Sequence, residues 1–312
     1  MFDLIKKLTQ ISPRYGHREA EAAKVITNEL KSLQINFVEE PFRTAVPKII
    51  KAELFADGKS IPCLGSSLIS GEINNGNYLI SAFGHSGKNR PYNISYSPIT
   101  DEISVVDIYQ EPSVTISRTS IVQITMAKEV KGIIEVEKEK YTTENILVGN
   151  ISNPENIIIA HFDSIVGDGA LDNAAAIAVM IETIKQKAVV LQNTLFIFAG
   201  NEEISYDDYK IKSGYGFRMF ESKHSNVLEN AKQIIVIDGI GVSSPSFVQN
   251  GLDWVLQVKM LDKIRSKVFW LQNDQSEVLK YFHTKADIIE NLSEKYLKEA
   301  QATLINKLSN RL

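Results

Sequence analysis

Two hydrophobic periodicities divide this chain. Apolar side chains recur at Ala22, Val25, Ile26, Leu30 and Leu33, the spacing of one helix face, so Glu19–Leu33 is expected to be an amphipathic helix. After PFRTAVP the texture changes. From about Lys48 to Thr143, short alternating or β-branched runs (KAELF, NYLISAF, ISVVDIY, TSIVQIT, GIIEVEK) are broken by stretches such as ADGK and HSGKNRP. Turn chemistry this frequent predicts a small β-rich unit, with only AKEVKG reading as a helical turn. From Glu144 the pattern becomes strand–helix–strand. NILVGN and NIIIA read as neighbouring strands joined at ISNPE, and TLFIFAG and QIIVI are continuous apolar runs, as in strands covered on both faces. Asp172 is placed to open a helix whose inner face is Ile177, Ala178, Ile181 and Ile184. A last helix is expected after Ser293, its predicted N-cap, with Leu297, Leu304 and Leu308 inward and Glu294–Lys298 paired across one turn. The prediction is an α/β fold with a mixed, largely parallel central sheet flanked by helices. It is formed by residues 1–45 and 144–312, with a β-rich insertion at 46–143.

Composition narrows the function classes. The 312 residues are 44% hydrophobic and 23% charged, an ordinary globular balance with ample core. A formal net charge of −4 offers no basic field for a nucleic-acid backbone. No apolar run reaches 18 residues, so no membrane span is expected. The opening MFDLIKKLTQISPRYG lacks the apolar core and cleavage site of a leader, and the single cysteine, Cys63, cannot form an internal disulfide. A cytoplasmic protein is expected, and a homo-oligomer is compatible with all of this.

The chemistry lies in the second half. His161 and Asp163 in AHFDS, Asp172 in GALDNAAA, Glu202 and Glu203 in AGNEE, Asp238 in VIDGIG and His283 in FHTKAD each follow an apolar run. In open α/β sheets ligands bind beyond the carboxyl ends of strands, so repeated acids and histidines there point to one site assembled from distant segments. Catalytic zinc takes histidine nitrogen and carboxylate oxygen and keeps a position open. The strand period puts His161 and Asp163 on one face, His161 as ligand and Asp163 orienting it. Each motif alone is weak: H-x-D also suits a surface turn, and Asp172 equally suits an N-cap. Glu202 and Glu203 point in different directions, which suits Glu203 as ligand and Glu202 as general base. Asp287 could orient a neighbour or cap the last helix, and the cap is the favoured expectation; His17, His85 and His224 are expected to be solvated. The conjunction weighs more than its parts. Each pair of converging carboxylates costs about 4 kcal/mol at roughly 4 Å and an effective dielectric near 20, a cost that cations relieve.

Together AHFDS, GALDNAAAIAVMIE, FIFAGNEE, VIDGIG and FHTKAD resemble, in order, the zinc-dependent peptidases that include bacterial leucyl aminopeptidases, glutamate carboxypeptidase II and the transferrin receptor. ISPRYG and the helix after it resemble the family's N-terminal segment, so the likeness covers about residues 1–40 and 145–312. It implies a zinc-aminopeptidase-like fold whose insertion occupies the place of a protease-associated domain. Two zinc ions (or cobalt or manganese) are implied, His161 and Asp238 on one, Glu203 and His283 on the other, and Asp172 bridging. Glu202 is then the base, Asp163 the orienter of His161, and Asp172–Asn173 a candidate cis peptide. The implied activity is removal of N-terminal residues from peptides, or hydrolysis of another small amide. Two alternatives share the fold: a glutaminyl-cyclase-like acyltransferase with one zinc, and a metal-free binding protein. The family's Ser-Asp-His and Gly-Ile-Pro segments are missing between Asp238 and His283, and ISYDDYKIKSGYGFR is longer than its usual continuation. Both changes bear on specificity more than on catalysis.

Overall fold

The computed structural model describes residues 1–74, 79–81 and 93–309. His85 and most of NYLISAF and HSGKNRP lie outside them. The chain opens with helices α1 (Phe2–Thr9) and α2 (Glu19–Ser32), the second burying Ala22, Ala23, Ile26 and Leu30 as its spacing predicts. A strand of 20 residues, β1 (Phe37–Ala56), then leads through β2 (Lys59–Ile61), β3 (Cys63–Gly65), β4 (Gly71–Ile73), β5 (Leu79–Ser81), β6 (Ile94–Tyr96) and β7 (Val114–Ile116). Helix α3 (Ile121–Met126) follows, and an equally long strand, β8 (Val130–Gly149), returns along β1. TSIVQIT is therefore largely helical rather than extended, and AKEVKG leads into β8 rather than forming a helical turn. Only Ile124 of α3 is buried and Val122 and Met126 are exposed, so one inward side chain per turn suffices there. That burial matches a one-turn helix as well as a strand, and the sequence alone does not separate them.

The remainder alternates as expected: β9 (Asn156–His161), α4 (Ala175–Gln186), β10 (Thr194–Ala199), α5 (Tyr215–Asn230), β11 (Gln233–Ile237), β12 (Ser246–Val248), α6 (Leu252–Val255), α7 (Leu261–Ile264), β13 (Val268–Gln272), α8 (Gln275–Val278) and α9 (Glu294–Ser309). The large sheet runs β12-β13-β11-β9-β10-β8-β1-β2, with β4 also pairing β8. Strands β13, β11, β9 and β10 are mutually parallel, and the strands that flank them, β12 and β8, are antiparallel to them. NILVGN and NIIIA are thus not neighbours, because β10 inserts between them. A short ISNPE link permits a hairpin, but β10 pairs with both, antiparallel to β8 and parallel to β9. A second sheet, β3-β7-β6-β5, completes the insertion.

Every residue of β9 and β10 is buried, as continuous apolar runs require when both faces are covered. One face packs on α1, α2, α4 and α9 through residues such as Ile158, Phe196, Ile177 and Leu304. The other packs on α5, α6 and α7 through Ile157, Leu195, Phe217 and Leu252. Shortening one such isoleucine, as in Ile158→Ala, costs about 2–5 kcal/mol through lost transfer energy and the cavity left behind. The insertion has its own core of Leu54, Ile73, Ile94, Val114, Ile116 and Ile124. Strands β1 and β8 run through both parts, so residues 45/46 and 143/144 lie inside a continuous ladder. The carboxyl ends of β9, β10 and β11 converge at one edge of this frame.

Candidate metal centre

His161 is the last residue of β9, and Asp238 directly follows β11, which is β9's parallel neighbour. Glu202 and Glu203 follow β10, the neighbour on the other side. Asp172 lies in the kinked segment before α4, with no capping bond and a cis peptide to Asn173. His283 lies between α8 and α9. Sequence spacing separates these residues, and the sheet order brings them together.

The geometry centres on Asp172. Its Oδ1 lies 3.0 Å from His161 Nε2, and its Oδ2 lies 3.2 Å from His283 Nε2. Asp238 Oδ2 is 3.9 Å from the same nitrogen of His161, and Glu203 Oε2 is 2.7 Å from His283 Nε2. Ligand atoms of His161, Asp172 and Glu203 all fall within 4.8 Å of one another. The five residues of these contacts fall into two donor groups that share the Asp172 carboxylate, and Glu202 stands beside them.

The surrounding groups hold this arrangement in place. Asp163 accepts the backbone N–H groups of Glu202 and Glu203, both at 3.0 Å, and so fixes the turn that carries them. It also lies 3.3 Å from His161 Nδ1, though not aligned for a hydrogen bond. Asp287 accepts from Leu171 N (2.6 Å) and Asp172 N (3.1 Å), so it fastens the kinked segment instead of capping α9. The expected cap fails because α9 starts at Glu294, beyond the reach of that buried carboxylate. Beneath the Glu202–Glu203 turn, Glu19 accepts from Tyr141 Oη (2.6 Å), Thr143 Oγ1 and Asn201 N (2.8 Å). A Cβ on Gly200 would collide with that carboxylate and with Thr143, which explains the glycine in AGNEE. Arg14 is wholly buried and donates to the carbonyls of Phe162 (2.6 Å), Asp168 (2.5 Å) and Gly169 (2.8 Å).

Electrostatics single out the same residues. Burial pushes Glu202 well above the usual carboxylate range, and Glu203 and Asp163 add to it, against the nearby His161. Burial and Asp172 raise Asp238 to about 8. Burial also opposes ionisation of Asp172, but the two imidazoles outweigh it and hold its pKa below the usual value. Burial disfavours the charged form of both imidazoles, yet the carboxylates around each prevail and raise both well above the ordinary histidine value.

This donor set fits divalent cations. His283 Nδ1 lies 2.8 Å from the Val105 carbonyl, which only accepts, so that nitrogen carries a proton. In the neutral ring the Nε2 lone pair then faces Asp172 and Glu203. His283 Nε2 and Glu203 Oε1 are buried without a hydrogen-bond partner, the condition of ligand atoms awaiting an ion. Among the other histidines, His17 is exposed as expected. His224 is not solvated: its Nε2 lies 2.7 Å from Glu40 and its ring stacks on Phe220 at 4.7 Å, so it belongs to a separate contact of α5 with β1. Arg14, Glu19 and Asn201 escaped sequence reasoning as parts of the site, and Asp287 takes the less favoured of its two expected roles, orienting a neighbour. The only signal for the first two was their place in ISPRYGHRE.

Comparison with known proteins agrees with this picture. The model of peptidase family M28 matches residues 146–268, a stretch that holds His161, Asp163, Asp172, Glu202, Glu203 and Asp238 and stops short of His283. No match to a curated protein sequence is found. Among solved structures, BSAP, a zinc aminopeptidase from Bacillus subtilis, aligns with a TM-score of 0.71 at 17% identity, over 99% of this chain and 93% of that one. An aminopeptidase from Aneurinibacillus sp. strain AM-1 aligns at 0.64 and 14% identity, over 99% and 92%. Glutaminyl cyclase from Tannerella forsythia aligns at 0.54 and 12% identity, over 100% and 97%. The fold is that of the zinc aminopeptidases, and the motif segment carries the family M28 pattern of a metal-dependent peptidase.

Proposed function

We propose that this M28-type peptidase is an aminopeptidase working with two zinc ions. The observation that carries the reading is Asp172, whose two oxygens each lie within 3.2 Å of a different imidazole. His161 and Asp238 would hold one ion, Glu203 and His283 the other, with one oxygen of Asp172 on each. Bound there, zinc supplies Lewis acidity, polarising the scissile carbonyl and making water a better nucleophile at neutral pH.

The protein groups do the rest. Glu202 makes no ligand contact of this kind and lies close to His161, Glu203 and Asp238, with its carboxylate held toward the neutral form by burial. With the ions bound, Glu202 would accept a proton from the attacking water and return it to the leaving amine. Asp163 keeps Glu202 and Glu203 in register by gripping both backbone N–H groups. Arg14 places a buried positive charge behind Asp163, Asp172 and Asp287 and offsets their mutual repulsion. The two-part division belongs to the same proposal: a catalytic part, 1–45 with 144–312, and an inserted part, 46–143. A donor set for two ions distinguishes this reading from a single-zinc cyclase and from a metal-free binding protein.

Aminoacyl fluorogenic amides assayed on zinc-loaded and chelator-stripped protein test it directly. Hydrolysis that vanishes on chelation and returns with zinc is expected, with two zinc ions per chain by elemental analysis. Hydrolysis indifferent to chelation, or none on any amide, would overturn the proposal. No helix among the described residues is long and apolar enough to cross a membrane, which agrees with small peptides as substrates reached from solution.

A further inference from the structure

His283 is held differently from its counterpart. His161 ends a buried strand, whereas His283 stands in irregular backbone with a left-handed φ of 51°. A non-glycine residue in that region is strained and persists only where its surroundings over-determine it. Those surroundings come from the insertion. Val105 N–H donates to the His283 carbonyl at 3.1 Å, and His283 Nδ1 donates to the Val105 carbonyl at 2.8 Å. One residue earlier, the Ser104 hydroxyl donates to the Phe282 carbonyl at 2.7 Å. Ser104 and Val105 are both buried, and the Phe282 ring stacks on the imidazole at 3.8 Å. The segment is itself fastened a few residues on. There Tyr109 N–H donates to the Ser66 carbonyl, and Leu68 N–H donates to the Tyr109 carbonyl, both at 2.8 Å.

We propose that Ser104 and Val105 are positioning residues for the half of the metal centre that contains His283, so that occupancy of that half depends on the inserted part of the chain. The paired bonds to Val105 fix the proton on Nδ1 and aim Nε2 at Asp172 and Glu203. The Ser104 bond anchors the residue before it. Groups in this position orient metal-bound histidines and select their tautomer, and losing one costs roughly 10–100-fold in metal affinity. The proposal rests on the two half-sites assigned above.

Its test is zinc titration of the metal-free full-length protein against a chromophoric chelator. Nitrogen-15 NMR of the zinc-loaded protein, reading the histidine tautomers, accompanies it. The variants are Ser104→Ala and Val105→Pro, with Val122→Ser as a control at an insertion residue that is 69% exposed. Wild type and the control are expected to bind two ions. Ser104→Ala and Val105→Pro should weaken one ion by roughly 10–100-fold and leave the other unchanged. The Nδ1-protonated signature of His283 should weaken with it. Should Val105→Pro fail to fold, Ser104→Ala decides alone. Unchanged affinities in Ser104→Ala, or equal weakening of both ions, would overturn the positioning role while leaving two half-sites standing. Fewer than two ions in wild type would overturn the half-sites and this inference with them.

Discussion

His161 and Asp238 stand at the ends of parallel neighbours β9 and β11, so ladder hydrogen bonds fix their spacing before any side chain is considered. The Asp238 backbone is held further by its N–H to Leu271 O and by Trp270 Nε1 to its carbonyl, both contacts with β13. Glu203 and His283 have no such ladder beneath them. Glu203 depends on the Asp163 carboxylate and on a turn propped by Glu19, and the next residue, Ile204, packs with Val46, Leu68 and Tyr141 from β1, β8 and the insertion. His283 depends on Ser104 and Val105. On the proposed two-ion assignment, one half of the centre therefore inherits its order from the sheet, and the other from long-range side-chain and loop contacts. Loop-held groups occupy the low-stability end of a native structure, so the second half is the one through which the site can be tuned or lost.

The largest expected effect concerns Glu202, which belongs to neither half. Glu202→Gln should lower kcat by about 10²–10⁴-fold with zinc content unchanged. Full turnover in that variant would remove Glu202 as the proton acceptor. Asp172→Ala sharpens the comparison itself, because the shared carboxylate serves both halves: both ions should be lost together on gel filtration followed by elemental analysis. Loss of one ion alone would show that the halves do not share it.

Glu19 tests how the loop-held half is supported. Burial is the main reason its pKa rises from 4.5 to about 8, with Asp163 nearby adding to it. The folded protein thus keeps a proton that the unfolded chain releases, and stability of the metal-free protein falls as pH rises from about 4.5 to 8. The slope from this one group is at most ~1.4 kcal/mol per pH unit. Glu19→Gln should flatten urea-denaturation stability across that window, and an unaltered slope would show that Glu19 is ionised throughout. The smallest effect belongs to the strand-held half. Trp270→Phe removes one hydrogen bond to the Asp238 carbonyl and should cost about 1 kcal/mol with both zinc affinities within a factor of a few.

The sequence was most legible where local pattern and chemistry coincide. His161, Asp172, Glu203, Asp238 and His283 each follow an apolar run, and the fold, through the sheet and through loop contacts, brings all five to one place. The helix face Ala22–Ile26–Leu30 and the buried runs NIIIA and TLFIFAG also read directly from their periods. Arg14 and Glu19 were opaque because their partners (carbonyls for Arg14, two hydroxyls and one backbone N–H for Glu19) lie more than 100 residues away, and nothing in local spacing marks a buried charge that will be matched there. Asp287 was misread since a carboxylate near a helix start has a bland local use, and its true partners, Leu171 and Asp172, come from the other end of the catalytic part. Strand order was lost for a related reason. Both β9 and β10 are fully buried, so which of them pairs with β8 is not marked in either run and is settled only across the whole sheet.

The ribbon of β1 and β8 has a consequence for how the chain reaches this state. Its far end joins Ala56 to Val130, so residues 57–129 are looped out between partners that meet in register. Closing so long a loop is entropically uphill until the last ladder bonds form, which makes the ribbon a slow, late event in folding. The same register means that a two-residue Asn-Gly hairpin could in geometry replace everything between them. Such a shortened chain would assemble its central sheet sooner, yet it would arrive without the irregular segment that steadies His283: quicker to fold and, on the proposal above, poorer at keeping its second ion.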